Sequence, residues 1–355
     1  MADLSSQLAD ALRGLRSDAV PFVATPASVR LEHDLVPFGS EEGDAGPSQR
    51  VQHLEGDALG TMPIPPPLRA ASIGNMRYFL DGVQRTLPIG WCGMNALALV
   101  VVVAGVIERR PQDRIFRAVP GMLRVESSVI MASAPDDPHT LPLTLAFEGA
   151  GIRVTPCEEQ SALALRNGDF LALQARIRPA VSAIRTDCEY AVFRAWDERT
   201  DGSEGWLVMD GSLVNSDAGN AVGIIKRHSR FDLTNAEMAT LLAMPVGHRS
   251  SAFRRGVRGG LKPATWYLRF HERSGADPLF GLARIEAPSP VQSAADFDAL
   301  SAVLFAERTP RATKDDRWPT LLYPIHIAER ILKVKLERAL LGVPAALRRH
   351  LREVA

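Results

Sequence analysis

Between residues 158 and 200, apolar side chains recur at threes and fours over many turns: Leu163, Leu165, Phe170, Leu171, Leu173, Ile177, Val181, Ile184, Cys188, Val192 and Trp196. This is the longest helical signal in the 355-residue chain, and the spacing predicts a helix broken near Gly168 and Pro179. Short apolar runs rich in β-branched residues lie on both sides of it. Arg77–Leu80, Leu97–Val106 and Val125–Met131 precede it, and Trp206–Met209, Ala221–Lys226, Trp266–Phe270 and Leu279–Ile285 follow. A last amphipathic helix is expected over residues 325–341, stopped by Gly342 and Pro344. Strands, a long helix, more strands and a closing helix predict an α/β fold, a mixed central sheet flanked by helices.

The composition is that of a globular chain, with 46% apolar and 23% charged residues. Its most apolar run, Ala96 to Ile107, spans 12 residues. A bilayer-crossing helix needs about 20, so this run reads as buried strand and no membrane association is expected. Cys92, Cys157 and Cys188 form no CxxC pair, which excludes a zinc knuckle and speaks against a disulfide framework. No basic stretch followed by an apolar core opens the chain. A cytoplasmic, reduced protein is expected.

Residues 3–16 have the spacing of a short amphipathic helix. The acidic, small-residue stretch over 32–48 and the prolines Pro63, Pro65, Pro66 and Pro67 read as loop and stiff linker. The expected division is a helix-and-linker extension over 1–69 and a main domain over 70–355.

Lys and Arg total 41, equal to Asp and Glu, so net charge names no partner. The distribution is uneven. Residues 223–273 carry ten basic against three acidic side chains, and residues 308–355 carry eleven against five. A basic C-terminal third fits a surface that faces a polyanion. Arg227 and Arg249 belong to this block, and Arg254, Arg255, Arg258 and Lys262 lie in a Gly-rich stretch with Gly256, Gly259 and Gly260. That stretch reads as a basic loop able to hold a single strand by its phosphates.

Two segments echo one another, Tyr78-Phe79-Leu80-Asp81-Gly82 and Trp206-Leu207-Val208-Met209-Asp210-Gly211. Each is an apolar strand running into Asp-Gly. If the strands were neighbours, two carboxylates would meet at the mouth of a sheet, an arrangement that is costly unless a cation neutralises them. Hard divalent ions with phosphate substrates suit such oxygen-only sites. A third carboxylate is expected from the long helix, where Glu189 and Asp187 compete and face different ways. Lys226 closes the next apolar run, placed to hold a phosphate or help position a water.

The order of these pieces resembles the NurA nucleases. The resemblance rests on Phe79-Leu80-Asp81-Gly82, Glu189, Met209-Asp210-Gly211-Ser212-Leu213 and Val222-Gly223-Ile224-Ile225-Lys226-Arg227. It continues through Trp266-Tyr267-Leu268-Arg269, Gly281-Leu282-Ala283-Arg284-Ile285-Glu286 and Tyr323-Pro324, covering roughly residues 75–340. It implies a ribonuclease H-like core and a DNA nuclease, a 5′-to-3′ exonuclease with single-strand endonuclease activity. Two metal ions per site are implied, Mn2+ with Mg2+ as the alternative. The implied setting is a homodimer docked on a HerA-like hexameric ATPase in DNA end processing, repair or phage defence. Asp81, Glu189 and Asp210 then stand as metal ligands, Lys226 as the motif lysine, Tyr323 as the C-terminal active-site tyrosine and His326 as the family histidine. Val83 stands where members often carry serine. That departure keeps two alternatives open: a DNA-binding or assembly subunit of weak or no activity, and an enzyme of this core acting on RNA.

Overall fold

A strand whose every residue is apolar must be covered on both faces, and residues 96–107 meet that condition. Leu97, Leu99, Val101, Val103 and Ile107 enter one hydrophobic cluster. Ala96, Ala98, Val100, Val102, Ala104 and Val106 enter another on the opposite face. The computed structural model describes residues 3–17, 22–24, 51–66, 76–92, 95–110, 112–132, 140–157, 170–199, 205–213, 219–226, 231–255, 263–273, 277–288, 291, 293–312 and 318–354.

In chain order the described elements begin with α1 (Leu4–Ser17), β1 (Phe22–Ala24), β2 (Val51–His53) and β3 (Thr61–Pro63). Three long strands follow, β4 (Met76–Cys92), β5 (Asn95–Arg109) and β6 (Phe116–Ala132), then α2 (Thr140–Gly149), β7 (Arg153–Pro156) and α3 (Phe170–Arg199). Next come β8 (Trp206–Asp210), β9 (Ala221–Ile225), α4 (Asn235–Ala243), β10 (His248–Ser250), β11 (Phe253–Arg255), β12 (Ala264–Arg269) and β13 (Leu282–Ala287). The chain closes with α5 (Ala294–Ala306), α6 (Tyr323–Ala339) and α7 (Val343–Val354).

The strands join one mixed sheet in the order β2-β11-β12-β13-β9-β8-β4-β5-β6-β7, with β1 on β4 and the β3–β10 pair on β12. β4, β5 and β6 form an antiparallel meander. β8 then lies parallel to β4, and β9 parallel to β8. The right-hand half, β9 through β11, is antiparallel. One face is covered by α3 through Ile177, Val181, Ile184, Cys188, Val192 and Trp196. The other is covered by α1, α2, α5 and α6, with Leu8, Leu12, Phe147, Phe297, Ile325 and Leu332 buried against it. The expected α/β class with a mixed sheet flanked by helices is therefore met. Among the described residues no helix is long and apolar enough to cross a membrane, and all three cysteines are free thiols.

Three expectations change. First, β4 does not stop at Asp81-Gly82 but runs on to Cys92, because Val83 and Ile89 continue its buried face and β5 pairs with it throughout. Second, Pro179 lies inside α3 without ending it. Its ring is on the exposed side of the helix. Gly168 lies outside the described residues. Third, the segment before residue 70, read as helix and linker, also contributes strands to the sheet. β2 pairs with β11, β3 with β10, and α1 buries Leu8, Leu12 and Leu15 completely. Pro63 ends β3, at the sheet margin where a residue without an N–H is tolerated. The acidic stretch 32–48 and Pro67 lie outside the described residues.

Candidate active site

The parallel pairing of β4 with β8 sets Leu80 opposite Met209, so the next residue on each strand is an aspartate, Asp81 and Asp210. β8 ends there while β4 continues, which opens a notch in the sheet beside Asp81. By strand alternation both carboxylates belong to the face of Phe79 and Val208. Asp81 is 2% exposed.

Glu189 comes from the opposite face. α3 lays it across Gly82, whose missing side chain makes room: a Cβ there would lie 2.2 Å from Glu189 Oε1. Asp187, two residues earlier, points to solvent, which separates the two helix candidates. One turn before Glu189, Arg185 donates its Nε–H to Glu189 Oε1 at 2.6 Å and reaches Asp81 Oδ1 with Nη2 at 3.4 Å. Lys226, immediately beyond β9, donates from Nζ to Asp210 Oδ2 at 2.7 Å.

The three acids feel one another's charge. Burial, then the charge of Asp210, pushes the Asp81 carboxyl well above the ordinary carboxylate range, against the pull of Arg185 and Lys226. Glu329 on α6 pushes it the same way. Burial also raises Glu189, again opposed by Arg185. Burial disfavours the charge on Arg185, yet Glu189 and Asp81 more than restore it, and its pKa is raised. Asp81, Glu189 and Asp210 thus share two cations, Arg185 and Lys226, while Glu329 pairs with Lys333 at 2.9 Å.

The loop that follows Asp210 is clamped from behind. Gly223 on β9 passes so close that a Cβ there would lie 2.6 Å from Gly211 O and 3.0 Å from Leu213 N. Glu286 on β13, 2% exposed, accepts the Ser212 hydroxyl at 2.6 Å and the Leu213 N–H at 2.9 Å on one oxygen. Its other oxygen lies 3.5 Å from Arg284 Nε.

Among the described residues no three His, Cys, Asp or Glu side chains stand close enough together to hold a metal ion. The side chains divide between the two faces of the sheet, and Arg185 and Lys226 stand among them. The donor chemistry nonetheless fits a hard divalent ion: oxygen donors only, an excess of negative charge, and a glycine that lets the helical carboxylate approach the strand.

Other expected residues fall elsewhere. Tyr323 opens α6 and is half exposed on a pocket it shares with Arg109, Arg114, Phe116, Glu307 and Ile327. That pocket is separate from the acidic notch. His326 is one turn further along α6, its buried Nδ1 without a hydrogen-bond partner among the described residues. Arg249 is no DNA contact. It is fully buried, pairing with Glu55 through two bonds of 2.7 and 2.9 Å and with Asp298 at 2.6 Å. Arg254 and Arg255 lie on β11 and not on a loop, and Arg255 pairs with Asp232 at 2.6 Å. Arg227, Arg258 and Lys262 lie outside the described residues. Arg269, counted in the basic block, is also buried, its guanidinium donating to carbonyls that include Leu241, Leu242 and Phe280. Among the described basic residues of this block, Arg249 and Arg269 are interior.

Sequence reasoning assigned no role to Arg185, Glu286 or Glu329, although Glu286 ends one of the motifs quoted above and Arg185 stands four residues before Glu189 on the same helical face. No known family model matches the chain, and no curated protein matches it.

Proposed function

We propose that this chain is a metal-dependent nuclease with a ribonuclease H-like core that hydrolyses phosphodiester bonds of DNA. The observation that carries the reading is the placement of Asp81 and Asp210 at successive positions on adjacent parallel strands, with Glu189 brought over Gly82 by the intervening helix. The strand order supports it as well. Setting aside α2 and the edge strand β7, an antiparallel meander of three, the helix α3 and then two strands added parallel to the first of the three is the arrangement expected of that core.

On this reading Asp81, Glu189 and Asp210 would hold Mn2+ or Mg2+, two ions per site, once the three carboxylates, which the fold leaves on two faces of the sheet, are drawn together. Bound there, the ions supply an acidified water and neutralise charge on the phosphate and leaving oxygens. The protein's own part is positional. Glu286 and Gly223 fix the turn behind Asp210, Gly82 admits Glu189, and Lys226 would have to leave its 2.7 Å bond to Asp210 to reach a phosphate oxygen. Arg185 opposes the burial that raises the Glu189 carboxyl. The wider proposal, a homodimer working on a HerA-like hexameric ATPase, rests on the sequence resemblance.

Degradation of end-labelled single-stranded DNA by the purified chain in Mn2+, abolished by chelator and by Asp210→Asn, is the expected result. Undiminished cleavage by Asp210→Asn overturns the assignment. A second reading has its own support. Arg185 and Lys226 already pair with the acidic side chains, as they would in a binding or assembly subunit. DNA binding without digestion, in either metal, selects that reading, and digestion of labelled RNA but not DNA moves the substrate to RNA.

A further inference from the structure

A second concave feature lies away from the acidic notch, and nothing in the hydrolytic scheme uses it. Arg109 at the end of β5, Arg114 and Phe116 where the chain turns into β6, Glu307 after α5, and Tyr323 and Ile327 on α6 enclose a pocket of about 380 Å3. That volume is in the range of pockets that take a ligand the size of one nucleotide.

Its back wall is fixed. Arg109 is tied to Glu307 at 2.7 Å and to Met76 O at 2.9 Å, and its guanidinium lies 5.4 Å over the Phe79 ring. Phe79 in turn packs on Phe116 at 6.0 Å. Tyr323 N–H donates to Glu307 O at 2.8 Å, which sets the entry of α6. The front is open. Tyr323 is 49% exposed, an unusual state for an aromatic ring beside a preformed pocket. Arg114 is exposed and has no ion-pair partner among the described residues, while the neighbouring Arg110 is paired with Asp113. Among the described residues Arg114 is also the one non-glycine residue at positive φ, 57°. The turn is held in that shape by Arg114 N–H to Arg110 O at 2.9 Å and Ile115 N–H to Asp113 Oδ1 at 2.9 Å. Strain of this kind is kept where a side chain must be presented in one place.

We propose that this pocket is a nucleotide subsite, with a base stacked on Tyr323 and a phosphate held by Arg114. The pairing of an exposed ring with an uncommitted guanidinium is the chemistry that single-stranded nucleic acid requires. The assignment of nucleic acid as the ligand rests on the nuclease reading above, and it gives Tyr323 a binding role. Its place in the fold adds a geometric consequence. Asp81 is paired with Gly105 on β5, four residues before Arg109, so the subsite lies roughly 13 Å along the strand from the acidic notch. A nucleotide held there sits about two backbone repeats from the cleavage position, with a strand end as the natural occupant.

The test is calorimetric titration in chelator, where no hydrolysis occurs. Thymidine 5′-monophosphate and a short thymidine oligomer are titrated into the wild-type chain, Arg114→Gly and Tyr323→Leu, with inorganic phosphate as the anion control. Arg114→Gly removes the guanidinium and suits a positive φ, so folding is preserved. The expected result is saturable binding of the mononucleotide, weakened about fivefold or more by either substitution and unchanged in Asp210→Asn. Competition by the oligomer identifies a strand end as the source, and binding of the mononucleotide alone identifies a free nucleotide. Absence of binding, equal affinity in Arg114→Gly, or phosphate binding as tightly as the nucleotide overturns the proposal. Loss of cleavage in Asp210→Asn with the titration intact, or the reverse, separates the fate of the subsite from that of the nuclease reading.

Discussion

Gly82 and Glu189 compete for one volume. The Cβ that any other residue would place at position 82 lies 2.2 Å from Glu189 Oε1, 2.8 Å from its Cγ and 2.9 Å from its Cδ. Three atoms of one side chain at that range mean that the whole carboxylate arm must leave, since no small rotation clears them all. The glycine, 107 positions before Glu189 in the chain, therefore holds open the route by which α3 delivers an acid to the notch.

Gly82→Ala tests this directly. The substitution is expected to displace Glu189 and break its bond to Arg185, leaving that cation less compensated, at a cost of about 1–3 kcal/mol. Mn2+-dependent DNA cleavage is expected to fall at least as far as in Glu189→Gln. Thermal denaturation and a cleavage assay on the same preparation check both halves, and full activity in Gly82→Ala breaks the link between glycine and glutamate.

Asp81 carries the clearest pH signature. Its folded pKa is raised, by burial and by Asp210, above the ordinary carboxylate value. Between those two values the folded chain holds a proton that the unfolded chain releases. This group's contribution to stability therefore falls as pH rises through the window and is regained as pH drops back toward the ordinary carboxylate pKa. Asp81→Asn removes the penalty, and a gain of about 1 kcal/mol or more is expected at pH 8, shrinking toward pH 4. Melting curves of both proteins across that range, in chelator, check the sign. Added Mn2+ is expected to raise the wild-type midpoint and not that of Asp81→Asn.

How much of this was legible beforehand follows from the range of the interactions. The run over 97–106 was readable because it is apolar throughout and too short to cross a bilayer, and the helix through Ile184 and Val192 because its burial repeats every three to four residues. The two Asp-Gly strands were readable as a matched pair, while their adjacency, only a condition in the sequence, comes from the β4–β8 pairing. The continuation of β4 past Gly82 was not readable, since Asp-Gly is ordinary turn chemistry and only Glu189, from another element, explains the glycine. The interior arginines were illegible for the same reason. A charge count treats Arg249 as surface, and its partners Glu55 and Asp298 are 194 and 49 positions away.

Glu286 is the support of the Asp210 turn. Replacing it with alanine leaves the Ser212 hydroxyl and Leu213 N–H without this acceptor and removes a carboxylate 3.5 Å from Arg284 Nε. A loss of about 3–5 kcal/mol is expected, visible as a lower urea midpoint. Glu286→Gln keeps an acceptor oxygen and is expected to fold. It should still show a weaker Mn2+-induced rise in melting temperature, because Asp210 is no longer held in register. An unchanged Mn2+ response in Glu286→Gln assigns this glutamate to stability alone.

Arg249 separates a structural charge from a nucleic-acid contact. Its guanidinium joins β10 to Glu55, in the segment between β2 and β3, and to Asp298 on α5. Glu55 also accepts the Ala252 N–H at 2.7 Å, so one carboxylate ties the early segment to the sheet twice. Burial raises the Glu55 carboxyl, but Arg249 and the Ala252 N–H together hold it below its ordinary value. Arg249→Met keeps the volume, removes the charge and leaves Glu55 and Asp298 facing each other's neighbourhood uncompensated. A loss of about 3–5 kcal/mol is expected, with faster proteolysis between residues 51 and 66. An arginine on a phosphate lowers the slope of log K against log salt by about one when it is removed. For single-stranded DNA binding measured by anisotropy on folded Arg249→Met, that slope is expected to equal the wild-type value. A reduced slope with unchanged stability returns Arg249 to the nucleic-acid surface.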